Sequence, residues 1–461
     1  MADLAGNAGA PVEFDAASLT RALAGRLVRE SALPIRGGAV DSRKVQPGNA
    51  FFALSGERTD GHLFLADAVQ RGATALVVSH EPDDLHGLGD VSVIEVADTL
   101  VALQQAAAEW RTRFSPVVIG ITGSLAKTST KEQIAEVLSE RWNVLRNTAN
   151  ENNEIGLPLT MLRLGSEHDV AVLEMGMYQP GDIAVLAALA RPSIGVVTAV
   201  RSTHLARAGS IDEIERGKRE LVEALSPGGT AILNADDPRV ARMASHVADG
   251  VDVVTYGFDQ SADVTAAHVR SLGFEGMEFE LRVAGDAVDV TMRALGRHSV
   301  HNALAAAAAG VVAGIDLPTI ARGLAREWHA PHRSTVIDLG PIKVLDDSYN
   351  ASPDSMIAAL DLLASLPGNR RVAVLGEMLE LGDTSESEHR RVEEHARQTA
   401  DLVLGVGPYS NAVEKAALTS AIDRYVQPGD VVLIKGSRGA AMDDLIPVLE
   451  QAALRMAEPV A

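Results

Sequence analysis

No cysteine occurs in the 461-residue chain, which excludes disulfides, thiolate metal sites and cysteine nucleophiles and fits a reducing compartment. Aromatic residues make up only 3%, so the core has to rest on Ala, Val, Leu and Ile. Positive charge is scarce as well: 41 Lys and Arg against 62 Asp and Glu leave a formal net charge of −21. Such a field repels phosphate chains at long range and argues against non-specific binding of nucleic acid or an anionic membrane. An anionic ligand must then be held locally, by backbone donors, lysines or divalent cations. Long hydrophobic runs are missing too. The most apolar stretch, Ala303 to Ile315, is too short to span a bilayer and reads as a buried Ala-rich helix. The first residues, MADLAGNAGAPVEFDAASL, show no basic start followed by an apolar run, so no secretory signal is expected. Together these absences predict a soluble, cytoplasmic protein without membrane insertion. A monomer is the expectation for its assembly, on no feature of the sequence.

What is present is a chain larger than one hydrophobic core usually supports, with 46% apolar residues. Three α/β segments in series are expected. The first, 1–113, has short apolar runs at Ala50 to Leu54 and Ala73 to Val78 and ends in a helical stretch, Asp98 to Arg113. The second, 114–330, opens at Phe114-Ser115-Pro116, where proline disfavours helix continuation, and Val117 to Ile121 then reads as a buried strand. Strand-like runs recur at 171–173, 194–200 and 230–233, between helical patterns at 131–141 and 211–224. That alternation implies right-handed crossovers and a mostly parallel sheet. EFELRV, the turn AGDA and VDVTM then switch to period two, the pattern of an antiparallel hairpin. The third, 331–461, alternates runs at 342–345, 371–375, 402–406 and 431–434 with helices, as a second Rossmann-like α/β unit.

Residues 120–132, GITGSLAKTSTKE, leave a buried strand and enter a helix. Such a loop aims several backbone N–H groups and the positive helix end at one point, which suits a phosphate. Gly120 and Gly123 bracket the turn, with Ser124, Ala126 and Ser129 completing the candidate nucleotide cradle. Lys127 supplies a charge for β- and γ-phosphates, and Thr128 a hydroxyl for Mg²⁺. Ala126 stands where glycine is expected. At positive φ it would cost roughly 1–2 kcal/mol; at negative φ it would be nearly harmless. An ordinary strand-to-helix turn with a solvated lysine is the alternative.

Further stretches occur in a recognisable order: RNTANENNEIGLPLT from Arg146, LEMGMYQPGDI from Leu173, HLARAGSIDEIERGK from His204, LNADDP from Leu233, GRHSVHNALAA from Gly296, DDSYNASPDSM from Asp346, LGEMLELG from Leu375 and IKGSRG from Ile434. VDSRKVQPGNAFFALSGERTDGHLFLADAVQRGATALVV precedes them. This set resembles the Mur ligase family, on the side of its D-alanyl-D-alanine-adding branch, and covers nearly the whole chain. The resemblance implies a three-domain fold: a small UDP-substrate-binding domain, a central P-loop ATPase-like domain and a C-terminal domain contacting ATP and dipeptide. It also implies ATP-dependent amide formation in peptidoglycan synthesis, joining D-alanyl-D-alanine to UDP-N-acetylmuramoyl-tripeptide through an acyl phosphate.

The same resemblance assigns candidate roles. Glu174, His204 and Thr128 match magnesium ligands, joined by Lys218 if CO₂ has carbamylated it to N6-carboxylysine. Ser210 with Glu213 forms an S-x-x-E signature, placing Lys218 two turns into a helix. Carbamylation needs the neutral amine, which burial or a nearby cation favours. Lys127, Lys218, Glu174, His204 and Arg333 are the catalytic candidates, Arg333 as a γ-phosphate contact. His298, Asn302 and Asn350 are expected at the nucleotide; Asp41, Ser42 and Arg43 at the UDP-muramoyl group; Asn150, Asn152 and Asn153 around its peptide. Lys435, Ser437 and Arg438 are candidates for the dipeptide carboxylate. Plainer readings stand beside these: Asn302 capping the Ala-rich helix, Ser352 as an N-cap before Pro353, the asparagines as a turn, and the basic residues as an ordinary loop.

Within VVTAVRSTHL, Ala199 and Arg201 replace an expected asparagine and glycine. Arg201 would stabilise the transferred charge, offset the missing glycine or point outward, and the sequence does not rank these. Two other functions stay open: a Mur-type ligase with a different acceptor, against which the D-N-P-R signature of the diamino-acid-adding branch is absent, and a non-catalytic nucleotide-binding homologue.

Overall fold

The computed structural model describes residues 13–56, 59–201, 209–328, 330–410 and 412–457. Three sheets follow one another along the chain. The first holds β1 (Arg26–Arg29), β2 (Gly38–Ala39), β3 (Ala50–Phe52), β4 (Ala75–Val78) and β5 (Ser92–Glu95) in the order β1-β5-β4-β3-β2. Only β1 runs antiparallel to its neighbour. The helix Thr99–Arg111, capped by Asp98, leads from this sheet into the next.

The second sheet holds β6 (Val117–Thr122), β7 (Val144–Arg146), β8 (Val170–Glu174), β9 (Ile194–Val197), β10 (Thr230–Asn234), β11 (Asp252–Gly257), β12 (Val264–Ser271), β13 (Met277–Val283) and β14 (Asp286–Met292). Its order is β14-β13-β12-β11-β10-β9-β6-β8-β7. From β7 across to β12 all neighbours are parallel. The last two pairings are antiparallel. The β13–β14 hairpin closes through Ala284 and Gly285, both at positive φ, the two-residue turn that matches strand twist.

A parallel sheet is covered on both faces, and β6 shows how. Ile119 and Ile121 enter a cluster with Ile134, Val137 and Leu138 of the helix Lys127–Leu138 and the Ala-rich helix Arg297–Val312. Val118 enters the opposite cluster, with Leu173, Leu157, Met161 and, from the first segment, Phe14, Leu103 and Trp110. Ala303 to Ala309 are all fully buried, and a Cβ on Gly310 would stand 3.0 Å from Val137 Cγ1. The small side chains thus let the two helices lie close together, which fixes the helix that carries Lys127.

The third sheet, β15 (Thr335–Asp338), β16 (Lys343–Asp346), β17 (Arg370–Leu375), β18 (Leu402–Gly405) and β19 (Asp430–Lys435), is ordered β15-β16-β19-β17-β18. Only β15 is antiparallel. It is flanked by two cores of its own, and Leu295 of the middle segment joins one of them. Among the described residues no helix is long and apolar enough to cross a membrane.

Candidate functional site

β6 delivers the chain to the carboxyl edge of the parallel sheet, where folds of this type place ligands. Gly123 follows at φ +151°, and a Cβ there would lie 1.8 Å from Thr198 Oγ1. That hydroxyl donates to Leu125 O at 2.6 Å, so the loop is held against the end of β9. Ala126 adopts φ +62°, the left-handed region, and the helix Lys127–Leu138 begins directly after it. The strained alternative therefore applies to this alanine. Lys127 Nζ folds back to donate to Gly123 O at 2.9 Å, and burial depresses its pKa. Glu174 opposes that shift and Arg333 adds to it.

Gly120 requires a correction. It lies inside β6 rather than in the turn, and a Cβ would stand 2.9 Å from Leu221 Cδ1 and 3.2 Å from Met175 Cε. Its hydrogen makes room for core side chains, so it is not one bracket of the phosphate turn.

Glu174 ends β8 and is 2% exposed. Thr128 Oγ1 donates to its Oε2 at 2.7 Å, and Asn152 Nδ2 to its Oε1 at 2.7 Å. Asn147 pins the strand end from both sides. Its Oδ1 accepts from Glu174 N at 2.9 Å, and its Nδ2 donates to Glu174 O at 3.0 Å. Lys131 Nζ in turn donates to Asn147 O at 2.6 Å. Sequence reasoning passed over Asn147, which reads as one more turn asparagine; the signal is its place ahead of the Asn-rich run, facing a strand that ends in a carboxylate. Asn153 does serve the turn, its Oδ1 accepting from Gly156 N at 2.9 Å.

Lys218 is 4% exposed on the helix Ile211–Glu223, whose N-cap Ser210 accepts from Glu213 N. Burial first, and the charge of Lys127 second, push its pKa well below the usual lysine range. No ion pair reaches its amine among the described residues. His204 lies outside the described residues. Among those described, no group of three or more His, Asp or Glu residues forms a metal cluster.

A cavity of about 740 Å³ joins these groups to the third segment. Ser124, Ala126, Lys127, Thr128, Ser129 and Glu174 line one side, with Asn150, Asn152 and Asn153 beside them. His298 and Asn302 line it from the helix Arg297–Val312. Asn302 is 6% exposed and sits within that helix, whose N-cap is Gly296, so it is not a cap. From the third segment come Arg333, Asn350, Lys435, Ser437 and Arg438. The Arg333 guanidinium carbon stands 4.1 Å above the Tyr349 ring. Ser352, in a reciprocal capping box with Ser355, starts the helix Pro353–Ser365 just past Asn350.

Lys435 departs from expectation. Its Nζ pairs with Asp347 Oδ2 at 2.6 Å and donates to Asn350 O at 3.0 Å, at nearly full burial. An ammonium so committed braces the Asn350 turn and has no free direction for a carboxylate. Ser437 Oγ likewise accepts from Leu379 N at 2.9 Å, leaving Arg438, paired with Asp443 at 3.1 Å and largely exposed, as the more available cation of the three. Asp41, Ser42 and Arg43 are not brought to this cavity. They lie beyond β2, where Asp41 caps a short turn and pairs with Arg43 at 2.7 Å.

Comparison with known proteins agrees with this architecture segment by segment. Three family models match in chain order: "Mur ligase family, catalytic domain" over residues 34–111, "Mur ligase middle domain" over 121–310 and "Mur ligase, glutamate ligase domain" over 332–438. The UDP-N-acetylmuramoyl-tripeptide--D-alanyl-D-alanine ligase of Escherichia coli K12 is 38% identical, covering 89% of this chain and 93% of that protein. The ligase of the same name from Synechocystis is 37% identical over 89% and 90%. MurF from Acinetobacter baumannii superposes with a TM-score of 0.87 at 30% identity, covering 96% of this chain and 99% of that one. MurF from Thermotoga maritima, in complex with ADP, superposes with a TM-score of 0.81 at 26% identity over 92% and 99%. With relatives above 30% identity matched along almost their full length, the chain belongs to the Mur ligase family.

Proposed function

We propose that this protein is an ATP-dependent, ADP-forming ligase that joins D-alanyl-D-alanine to UDP-N-acetylmuramoyl-tripeptide. One observation carries the reading: a phosphate loop and the polar turns of the third segment line a single cavity, in a chain similar over nearly its whole length to ligases of that name. The tripeptide's terminal carboxylate oxygen attacks the γ-phosphorus of ATP, and the bond to the β-phosphate oxygen breaks, releasing ADP. The dipeptide's amine then attacks the acyl carbon, the C–O bond to phosphate breaks, and the nitrogen gives up a proton. Both steps gather negative charge at one place, so fixed donors and cations dominate the catalysis.

The roles of individual residues are part of the proposal. Backbone N–H groups from Gly123 to Ser129 receive the phosphates, with Lys127 on the β- and γ-phosphates and Arg333 reaching the γ-phosphate. His298, Asn302 and Asn350 hold the nucleoside. Asn150 and Asn152 face the peptide, and Arg438 takes the dipeptide's carboxylate, with Lys435 and Ser437 shaping the turns around it. Asp41, Ser42 and Arg43 remain candidates for the UDP-muramoyl end, apart from the reacting atoms.

The donor set suits Mg²⁺: Thr128 Oγ1 and the buried Glu174 carboxylate are hard oxygen ligands within 2.7 Å of each other. Those two residues would hold it, with His204 and a carbamylated Lys218 as further ligands. Bound there, the ion would neutralise charge on the transferring phosphate. Burial and the neighbouring Lys127 charge lower the pKa of the Lys218 amine, which favours the neutral form that CO₂ requires.

Phosphate release from ATP and Mg²⁺, measured with UDP-N-acetylmuramoyl-tripeptide and with or without D-alanyl-D-alanine, tests the assignment. Dipeptide-dependent release is expected. Release that ignores the dipeptide, or none at all, would overturn the acceptor.

A further inference from the structure

Arg201 follows β9 by four residues, where the resemblance anticipates glycine. Its backbone is stitched to the phosphate loop: Arg201 N donates to Ser124 Oγ at 2.9 Å, and that hydroxyl donates to Arg201 O at 3.0 Å. Ser124 N donates to Ala199 O at 2.7 Å. The side chain does not line the cavity, although its partner Asp354 does. Its Nη1 pairs with Asp237, a 1% exposed carboxylate that also accepts from Val200 N at 2.9 Å and caps the helix Pro238–Ala241. Its Nε meets Asp354 Oδ2 at 3.1 Å. Asp354 belongs to the third segment, in the first turn of the helix Pro353–Ser365, four residues past Asn350.

One guanidinium therefore spans two carboxylates on two segments while its own backbone holds the loop that would receive the phosphates. A planar fork does this; an ammonium, a point charge, does not reproduce both contacts. The buried Asp237 fixes the guanidinium, leaving the contact with the more exposed Asp354 as the one that crosses to the third segment. Arg391 Nη2, 3.2 Å from Asp354 Oδ1, orients the carboxylate from behind.

We propose that Arg201 is a positioning residue that sets the distance between the phosphate loop and the Asn350 turn through its bridge from Asp237 to Asp354. It acts without touching the nucleotide. The proposal rests on the ATP-dependent reading above, and nucleotide binding can be measured whether or not the acceptor is assigned correctly.

The experiment is a double-mutant cycle on the full chain with Asp354→Asn and Arg201→Gln, reading the Kd of a non-hydrolysable ATP analogue by calorimetry. Asp354→Asn leaves the buried Asp237 pair intact and is expected to weaken binding about fivefold, the size of a half-exposed pair coupling two segments. Added to Arg201→Gln it should change nothing further. Asp354→Glu should restore much of the affinity, and the ratio of variant to wild type should shrink as salt rises, because the pair is screened. Thermal midpoints report folding separately. Additive effects in the cycle, or an unchanged Kd in Asp354→Asn, overturn the proposal. Absence of analogue binding in the wild type would instead remove the reading beneath it.

Discussion

At the scale of single residues, the phosphate loop shows what identity hides. Alanine carries no preference that announces φ +62°, so whether Ala126 is strained is decided only by the path from β6 into the following helix. Replacing it by glycine removes the clash of a Cβ with its own backbone while making the unfolded chain more flexible. The first effect is the larger at this φ, so Ala126→Gly should stabilise the protein by about 1 kcal/mol. Chemical denaturation checks this, and a stability loss would mean the Cβ contacts outweigh the strain. The variant should also bind ATP at least as well, because nothing supplied by the methyl group is polar. Gly120 is the reverse case. Its place in the motif suggested a phosphate contact, yet alternation along β6 points it at Leu221, and that direction follows from the strand rather than the motif.

At the scale of elements, strands with an apolar run or a period-two alternation were legible, wherever they lie in the sheet, and strands with neither were not. Val117–Thr122, Thr230–Asn234 and Arg370–Leu375 carry apolar runs, at 117–121, 231–233 and 372–375, because helices cover both sides of the sheet there. Val144–Arg146 and Asp252–Gly257 are partly exposed, so their composition carries no run to read. Asn147 escaped notice for a related reason, since its work is tertiary. It replaces the partners a further neighbouring strand would give Glu174, holding N–H and C=O together as a backbone would. Asn147→Ala should leave both groups buried and unpaired, at a cost of about 1–3 kcal/mol. It should also lower kcat in the phosphate-release assay, because the Glu174 carboxylate would lose its fixed position beside Thr128. Wild-type kcat in a folded Asn147→Ala protein would show that Asn152 and Thr128 are enough to place Glu174.

At the scale of the molecule, the three segments are not equally independent. The first lends Phe14, Leu103 and Trp110 to a core completed by Leu157, Met161, Leu173 and Ile183 of the second. Trp110 Nε1 donates across that boundary to Leu164 O at 2.8 Å, and Gln104 Nε2 to Glu154 O at 3.2 Å. The third encloses its own sheet between two cores and meets the second through Leu295, the Lys343 ammonium 5.3 Å from the Phe274 ring, and the Arg201 bridge. A large shared apolar core cannot separate without exposing itself to water, whereas Leu295 with Phe274 and a few polar contacts expose far less. The first segment is therefore held to the second more firmly than the third is. Cutting the chain tests this directly. A fragment of residues 332–457 should melt cooperatively and show dispersed amide resonances. A fragment of residues 13–113 should melt with weakened cooperativity and show red-shifted Trp110 fluorescence, because the cluster around Trp110 loses every residue the second segment supplies while the cluster of Phe51, Leu76 and Val93 on the other face remains. A well-folded 13–113 fragment with a protected Trp110 would show that the shared cluster only docks two finished domains.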